Sequence, residues 1–150
     1  MKKNQEGFSL IELLIVVAII LIIAAIAIPN LLRSKMAANE ASAVGSLRSI
    51  NTASVAFNIS YGMYETNLSN LATGSSVSSA TADLIDSVLA SGTKSGYTFS
   101  YTTSSNLGYT VTASPTNPGT TGQRYFFTDQ SGVIRVDPAA TATSSSTPLS

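Results

Sequence analysis

Residues 7–29 read GFSLIELLIVVAIILIIAAIAIP, and this stretch decides the fold. Between residues 8 and 28 the only polar side chains are Ser9 and Glu12. As a helix rising about 1.5 Å per residue, the stretch is long enough to cross the roughly 30 Å hydrocarbon layer of a bilayer. A helix that is apolar on every face has no place on the surface of a small soluble domain, so a membrane-spanning segment is predicted.

Glu12 lies near the start of this apolar segment, where a charge costs several kcal/mol unless it is paired or reaches the interface. One interpretation places its carboxylate among the lipid headgroups. In the other, cleavage between Gly7 and Phe8 leaves an α-amino group with a reference pKa of about 8 at the end of the same helix. The carboxylate of one chain then pairs with the amine of the next and aligns the two helices, because an unpaired buried charge is far more costly than a matched pair.

The short basic leader MKKNQEG, followed by FSLIELLIVVAII and AAIAIP, resembles the class III signal of type IV pilins and of the pseudopilins of type II secretion systems. The resemblance covers about the first quarter of the chain. It implies that prepilin peptidase cleaves after Gly7 and that Phe8 becomes the methylated N-terminal residue. It also implies that Glu12 is the assembly glutamate and that Pro29 kinks the helix. Leu21 departs from the pattern, because many family members have glycine there, so the extent of helix unwinding between residues 21 and 29 stays open.

The resemblance further implies an α+β, type IV pilin-like fold, in which a long kinked N-terminal helix packs on a small four-stranded antiparallel sheet. The implied partners are sister copies in a helical filament, prepilin peptidase, an inner-membrane assembly platform, an assembly ATPase and, before assembly, membrane lipid. The implied location is the inner membrane for the precursor and an extracellular pilus for the filament, or the periplasm for a pseudopilin.

An ordinary secretory signal is an alternative for the N-terminal segment. Lys2 and Lys3 precede an apolar run that ends in Ala25-Ile26-Ala27, a pattern that signal peptidase can cleave. The apolar run at residues 13–28 is somewhat longer than the usual signal core, and a carboxylate at its entrance has no role in a discarded peptide. On this alternative the mature chain is a secreted soluble protein that begins at Ile28.

Composition excludes several classes of function. The chain has no cysteine and no histidine, which rules out disulfides, cysteine nucleophiles and thiolate zinc sites, and removes the commonest general base. Its eight basic and eight acidic residues balance. Loss of Lys2, Lys3 and Glu6 with residues 1–7 leaves six against seven, so the basic patch that nucleic-acid binding requires is not predicted. The remaining acids are scattered, and no enzyme activity is predicted.

After Pro29 the helix is predicted to resume and to end near Tyr61. Apolar residues recur there at three- and four-residue steps or their sum, at Val44, Leu47, Ile50, Phe57 and Tyr61. Polar residues such as Glu40 flank this stripe, so the segment is amphipathic. Phe57, Tyr61 and Tyr64 are expected to seat the head on the helix.

The head is predicted to begin with a surface loop at about residues 63–80 and a short helix at about residues 80–90. Thr81 is the expected N-cap of that helix, and Asp83 suits the positive end of its dipole. Two antiparallel hairpins follow, with strands at residues 97–101, 109–113, 124–128 and 133–136. Residues 106–108 are the predicted turn of the first hairpin, and residues 129–132 form a type I turn in the second.

The sequence therefore divides into a leader at 1–7, a transmembrane and filament-core helix at 8–29, its amphipathic continuation at 30–61, a globular head at 62–137 and a flexible tail at 138–150. The tail is assigned because alanine, threonine and serine predominate there.

A calcium site formed by Asp129 and Asp137 is the one metal site to consider, because oxygen ligands suit calcium and some pseudopilins hold it in their C-terminal loops. The acids form no dense cluster, however, and the turn explains Asp129 better. No cofactor is therefore predicted.

Three functions remain. The first is a structural subunit of a type IV pilus filament, and the second is the major pseudopilin of a type II secretion system. The absence of disulfide cysteines and the short sheet favour the pseudopilin, whereas a low-charge surface rich in serine and threonine suits an exposed fibre. The third, from another class, is a membrane-anchored binding module that never polymerises.

Overall fold

The computed structural model describes residues 7–74, 78–103 and 108–149 and has an α+β architecture. The helices are α1 (Leu10–Tyr61), a 3-10 helix (Leu68–Leu71) and α2 (Ser87–Ala90). The strands are β1 (Thr93–Lys94), β2 (Tyr97–Thr103), β3 (Tyr109–Pro115), β4 (Tyr125–Asp129), β5 (Arg135–Asp137) and β6 (Thr147–Pro148). The chain forms two compact units, Met1–Ser34 and Lys35–Ser150, and α1 contributes residues to both.

In the first unit the apolar part of α1 is unpacked. None of the described side chains from residue 7 to residue 34 is buried. The helix begins at Leu10, two residues after the predicted start, and runs through Pro29. Proline has no N–H, so the carbonyl of Ala25 lacks its usual helical donor. The continuous helix to Tyr61 is confirmed, and a kink at Pro29 stays a prediction.

In the second unit one face of α1 packs against the sheet. The buried apolar residues of the helix are Ala43, Leu47, Ile50, Ala53 and Phe57, at the helical spacing that the sequence indicated. They share a core with Tyr97 and Phe99 of β2, Tyr109, Val111 and Ala113 of β3, and Phe126 of β4. The predicted role of Phe57 in seating the head is supported by its burial and by its ring contact with Tyr61, with centroids 4.7 Å apart.

The sheet is an antiparallel meander in the order β1-β2-β3-β4-β5-β6. The two predicted hairpins are its centre: β2 pairs with β3, and β4 pairs with β5. The turn after β4 closes through a hydrogen bond from the Gly132 N–H to the Asp129 carbonyl at 2.9 Å, as predicted for these positions. Most of the turn predicted at residues 106–108 lies outside the described residues.

The prediction of four strands is wrong, because the sheet has six. The added strands β1 and β6 have two residues each and lie at the two edges, where pairing with a neighbour defines them. Such short polar segments show no alternation that a sequence could reveal. Strand β6 lies within the segment predicted to be a flexible tail, and the same segment contains Ala142, which is 1% exposed.

The predicted helix at residues 80–90 is also wrong in its extent, because only Ser87–Ala90 are helical. The N-cap is Asp86, whose carboxylate accepts the Leu89 N–H at 2.9 Å, and not Thr81. Residues 82–85 instead donate their backbone N–H groups to carbonyls of residues 70–72. Asp83, with φ of 55°, is outside the helix in the left-handed region, which aspartate tolerates better than most residues.

The loop predicted at residues 63–80 contributes to the core. Its 3-10 helix buries Leu68 and Leu71, and Glu65 is 1% exposed. The bonds from residues 82–85 hold this segment against the head, so much of it is packed structure rather than solvated surface loop.

Candidate assembly site

Gly7, Phe8 and Glu12 lie within six consecutive residues at the N-terminal end of α1, with Gly7 and Phe8 before the helix and Glu12 in its first turn. The bond between Gly7 and Phe8 precedes the helix, and the Phe8 side chain is 89% exposed. Ser9 directly precedes α1, and its N–H donates to Glu12 Oε2 at 2.9 Å. A glutamate three residues into a helix that reaches back to the preceding N–H is half of a capping box.

The carboxylate of Glu12 therefore has two environments. Oε2 satisfies an N–H at the positive end of the helix dipole, which stabilises the negative charge. Oε1 accepts no hydrogen bond from any described residue. One oxygen thus orients the carboxylate, and the other has no partner among the described residues.

The surface that follows Glu12 is apolar on all sides. Large apolar side chains from Leu10 to Leu31 are each between 46% and 80% exposed. Within the described residues, one helix, α1, is long and apolar enough to cross a bilayer. A surface of this kind needs lipid or protein neighbours, because exposing it to water costs about 25 cal/mol per Å².

A second group of residues anchors residues 35–61 of α1 to the head, and Glu40 is its first member. Glu40 Oε2 receives Arg124 Nε at 2.7 Å, while Oε1 accepts the backbone N–H groups of Gln123 at 2.9 Å and of Arg124 at 3.2 Å. Burial would raise the pKa of Glu40, but these hydrogen bonds and the guanidinium charge hold it below its ordinary value. The preceding Asn39 adds a bond from Nδ2 to the Thr121 carbonyl at 2.8 Å.

Asn51 is the second anchor, three turns further along α1. Its Oδ1 accepts the Tyr109 hydroxyl at 3.0 Å, and its Nδ2 donates to Thr128 Oγ1 at 2.9 Å. Tyr109 and Thr128 belong to β3 and β4 and are both almost fully buried. One amide side chain therefore connects the helix to the two central strands of the sheet.

Ser54 and Glu65 form the third anchor. The Ser54 hydroxyl donates to Glu65 Oε1 at 2.5 Å, and the Glu65 carbonyl accepts the Thr103 hydroxyl at 2.6 Å. Glu65 Oε2 and the Tyr101 hydroxyl are buried, and neither has a hydrogen-bond partner among the described residues. This anchor ties α1 to the segment after it and to β2.

The candidate calcium ligands are not brought together. Asp137 is the register partner of Tyr125, the first residue of β4, whereas Asp129 is the last residue of β4. Four residues of strand separate these positions, which is about 13 Å, too far for one calcium ion to bind both carboxylates. Asp129 Oδ1 accepts the Ser131 N–H, and Asp137 Oδ1 accepts the N–H groups of Ala139 and Ala140. In the described part of the chain, no group of three or more acids, histidines or cysteines is placed to hold a metal.

Sequence reasoning missed these anchors. The sequence pattern places Glu40 on the polar flank of the helix, and nothing local distinguishes it from an exposed glutamate, because its partners are more than 80 positions away. The capping role of Glu12 did have a local signal. Residues Ser9-Leu10-Ile11-Glu12 match the S-x-x-E pattern of a capping box.

The N-terminal segment is similar to segments of known proteins. The family described as the prokaryotic N-terminal methylation motif matches residues 2–28. The type IV wide pilus major component PilA4 of Thermus thermophilus is 60% identical over 38 residues, which are 25% of this chain and 29% of that protein. The type IV major pilin protein PilA of Myxococcus xanthus is 49% identical over 54 residues, which are 36% of this chain and 24% of that protein.

These alignments span less than a third of the length of either relative. They confirm the resemblance that the leader and the apolar segment indicated. Residues 2–28 carry the prepilin-type N-terminal methylation motif, and the chain is similar to type IV pilins over 25% to 36% of its length.

Proposed function

We propose that this chain is a structural subunit of a type IV pilus. It is inserted in the inner membrane as a precursor, loses residues 1–7 to prepilin peptidase, is methylated at Phe8 and joins an extracellular helical filament through α1. The observation that carries the proposal is an apolar helical segment, with no buried side chain among its described residues up to 34, that begins with an oriented carboxylate of which one oxygen is unused.

The first part of α1 supplies the driving force for assembly. In the precursor its apolar side chains contact lipid, and in the filament the same side chains contact the helices of sister copies. Because both environments exclude water, transfer from membrane to filament leaves the apolar surface covered throughout. An inner-membrane platform protein and an assembly ATPase are the expected machinery for that transfer.

Glu12 sets the register of this assembly. The new α-amino group of Phe8 is a cation once residues 1–7 have been removed. Glu12 Oε1 of a neighbouring copy accepts this cation, and Oε2 keeps its bond to the Ser9 N–H. A chain that enters the filament out of register leaves a charge unpaired among apolar helices, at a cost of about 3–5 kcal/mol.

The pseudopilin alternative is not favoured, since both relatives are named as major components of type IV pili. The non-polymerising anchored module gives Glu12 no function beyond capping the helix. The role proposed is structural, with no enzyme activity.

The test separates the charge of Glu12 from its capping bond. Glu12→Gln keeps an oxygen that can accept the Ser9 N–H but removes the charge, and Glu12→Ala removes both. The full chain is expressed in a bacterial host that keeps its pilus assembly machinery but lacks its own pilin. Sheared surface filaments are imaged, their subunit is identified by mass, and the mature N-terminus is sequenced.

We expect wild type in filaments beginning at Phe8, and both variants in the membrane fraction as processed, unassembled chains. Glu12→Asp, which keeps the charge on a shorter side chain, should recover part of the assembly. If wild type and Glu12→Gln both form normal filaments, the proposed pairing of Glu12 with the Phe8 amine is overturned, while the proposed function as a pilus subunit is not. Absence of the wild-type chain from any filament would overturn the proposed function itself.

A further inference from the structure

The face of the sheet that does not pack on α1 carries an open cleft of about 610 Å³. This volume lies within the range of about 300–1,000 Å³ that ligand sites commonly occupy. Strands β3 and β4 supply its floor. Side chains alternate between the two faces of a strand, so Val111 and Phe126 enter the core while Thr112 and Phe127 lie on the opposite face.

The pairing of β3 with β4 fixes the positions of the floor side chains. Thr110 is opposite Asp129, and Thr112 is opposite Phe127. Directly opposed residues in an antiparallel pair lie about 4.5–5.5 Å apart at Cα, so the four side chains form one compact group. It combines two hydroxyls, a carboxylate and an aromatic ring.

Residues 141–144 form the facing wall, and this wall is held in place. The Ser146 N–H donates to the Thr143 carbonyl, and the Thr143 N–H donates to Ser146 Oγ, each at 3.0 Å. Arg135 Nη1 of β5 donates to the Ser146 carbonyl, also at 3.0 Å. Ala142 and Phe127 are 1% and 8% exposed, yet neither belongs to the main core beneath α1. The cleft thus has its own small apolar base and a preformed wall.

Several polar groups at the cleft are unused by the protein. The hydroxyls of Thr110, Thr112 and Thr141 and the amide of Gln130 make no side-chain hydrogen bond to any described residue, and Asp129 uses one oxygen, for the Ser131 N–H at 2.9 Å. The Gln130 side chain lies beside Gly108 at one end of the cleft. A Cβ built on Gly108 would be 3.1 Å from Gln130 Oε1.

These groups define the ligand chemistry. Hydroxyls and an amide both donate and accept hydrogen bonds, and a carboxylate accepts them, as the hydroxyls of a sugar require. Threonine methyl groups above the base formed by Ala142 and Phe127 suit the apolar C–H face of the same sugar. No lysine or arginine lines the cleft in the described part of the chain, so an anionic ligand would meet one carboxylate and no cation. A metal ion would find one carboxylate where it usually has several oxygen ligands.

We propose that this cleft binds a short neutral saccharide, with Thr112 and Gln130 donating to or accepting from its hydroxyls and Asp129 accepting from them. The proposal does not depend on filament formation. It assigns a binding role to the outer face of β3 and β4, which the proposed assembly through α1 does not use.

The test uses the full-length chain in a detergent without sugar headgroups. The probes are glucose, galactose, mannose, N-acetylglucosamine and N-acetylgalactosamine, with glucuronate as the charged comparison. Saturation-transfer NMR detects binding, and titration gives the Kd. The variants are Thr112→Val, which keeps the side-chain shape, and Gln130→Ala. The control is Thr98→Val, an exposed threonine on β2 that does not line the cleft.

We expect at least one neutral sugar to bind wild type and Thr98→Val equally. Its Kd should rise about five-fold in each cleft variant, the effect of losing one hydrogen bond of about 1 kcal/mol. Thermal unfolding of each variant shows whether its fold is intact. Equal Kd values in wild type and both cleft variants, absence of binding by every neutral sugar, or tighter binding of glucuronate than of glucose would each overturn the proposal.

Discussion

Glu40 and Arg124 form an ion pair, with Nε and Oε2 2.7 Å apart, across 84 positions of sequence. The Glu40 side chain is 10% exposed and that of Arg124 is 45% exposed, so the carboxylate is the desolvated partner. The same carboxylate accepts the N–H groups of Gln123 and Arg124, directly before β4. It therefore fixes where the sheet meets α1, and its removal leaves these donors without their acceptor.

The first prediction is a pH-dependent loss of stability in Glu40→Gln. At neutral pH we expect the free energy of unfolding of the full chain in detergent to fall by about 1–3 kcal/mol, because charge-assisted hydrogen bonds are lost. The folded pKa of Glu40 lies below its ordinary value of 4.5. Its contribution is therefore complete above that value and disappears as the pH falls through the folded pKa, so the variant and wild type should converge in acid.

Lys94→Met is the matched control, since it breaks an ion pair between Lys94 and Asp86 whose side chains are 34% and 50% exposed. Exposed pairs contribute about 0–1 kcal/mol. Chemical denaturation at a series of pH values measures both variants. If Glu40→Gln lowers the free energy of unfolding no more than Lys94→Met does, or by an amount that does not change with pH, Glu40 does not anchor the helix to the head.

The second prediction concerns Tyr101 and Tyr109, whose rings stack with centroids 5.4 Å apart. The Tyr109 hydroxyl donates to Asn51 Oδ1, whereas the buried Tyr101 hydroxyl has no partner among the described residues. Burial, and after it the adjacent Glu65 carboxylate, raise the pKa of Tyr101, so its hydroxyl stays protonated beyond the pH at which a free tyrosine ionises.

We expect Tyr109→Phe to lower the free energy of unfolding by about 1 kcal/mol. Tyr101→Phe should change it by less than about 0.5 kcal/mol or increase it, because removing an unpaired buried hydroxyl also removes its desolvation penalty. Each single variant is the control for the other, since both retain the ring. Equal losses in the two variants would show that the Tyr101 hydroxyl is hydrogen-bonded.

The sequence predicts those elements that carry their own periodic signal. The apolar segment, the amphipathic stripe that includes Leu47 and Ile50, and the two central hairpins are visible because burial follows a period of about 3.6 or 2 residues. Strands β1 and β6 are not visible, because two-residue segments exist only through pairing with β2 and β5. The predicted helix at residues 80–90 fails because residues 82–85 use their N–H groups for residues 70–72.

The residues of the candidate site likewise fall into those that a local motif identifies and those that only the folded chain identifies. Gly7, Phe8 and Glu12 follow from a motif within one short stretch. Glu40 and Asn51 have partners 58 to 84 positions away, so only the folded chain distinguishes them from exposed polar residues. Amphipathic analysis ranks residues by type, and it therefore assigns a buried, fully bonded carboxylate to the solvent face.

The third prediction compares two glycines. A Cβ at Gly122 would collide with the Tyr97 hydroxyl, which donates to the Arg124 carbonyl at 2.8 Å. Gly122→Ala must therefore displace a buried ring beside the Glu40 anchor, and we expect a loss of about 1–3 kcal/mol from overpacking. Gly45 lies within α1, and a Cβ there meets nothing within 4 Å. Gly45→Ala should stabilise the chain by about 0.5–1 kcal/mol. Thermal and chemical unfolding measure both, and destabilisation by both variants would contradict the packing argument.

The last prediction separates processing from folding. An added Cβ at Gly7 meets no atom of the described residues within 4 Å, and Gly7 precedes the helix. Gly7→Val should therefore leave the unfolding temperature of the head unchanged, and any defect must arise where another protein recognises the cleavage site. We expect mass spectrometry to show residues 1–7 retained and Phe8 unmethylated, with no filaments, since the Phe8 nitrogen remains an amide and cannot pair as a cation with Glu12 of a neighbouring copy. Processed Glu12→Ala is the complementary control, because it should lose the same filaments after normal cleavage. Normal cleavage and methylation of Gly7→Val would show that the peptidase does not depend on a residue without a side chain at this position.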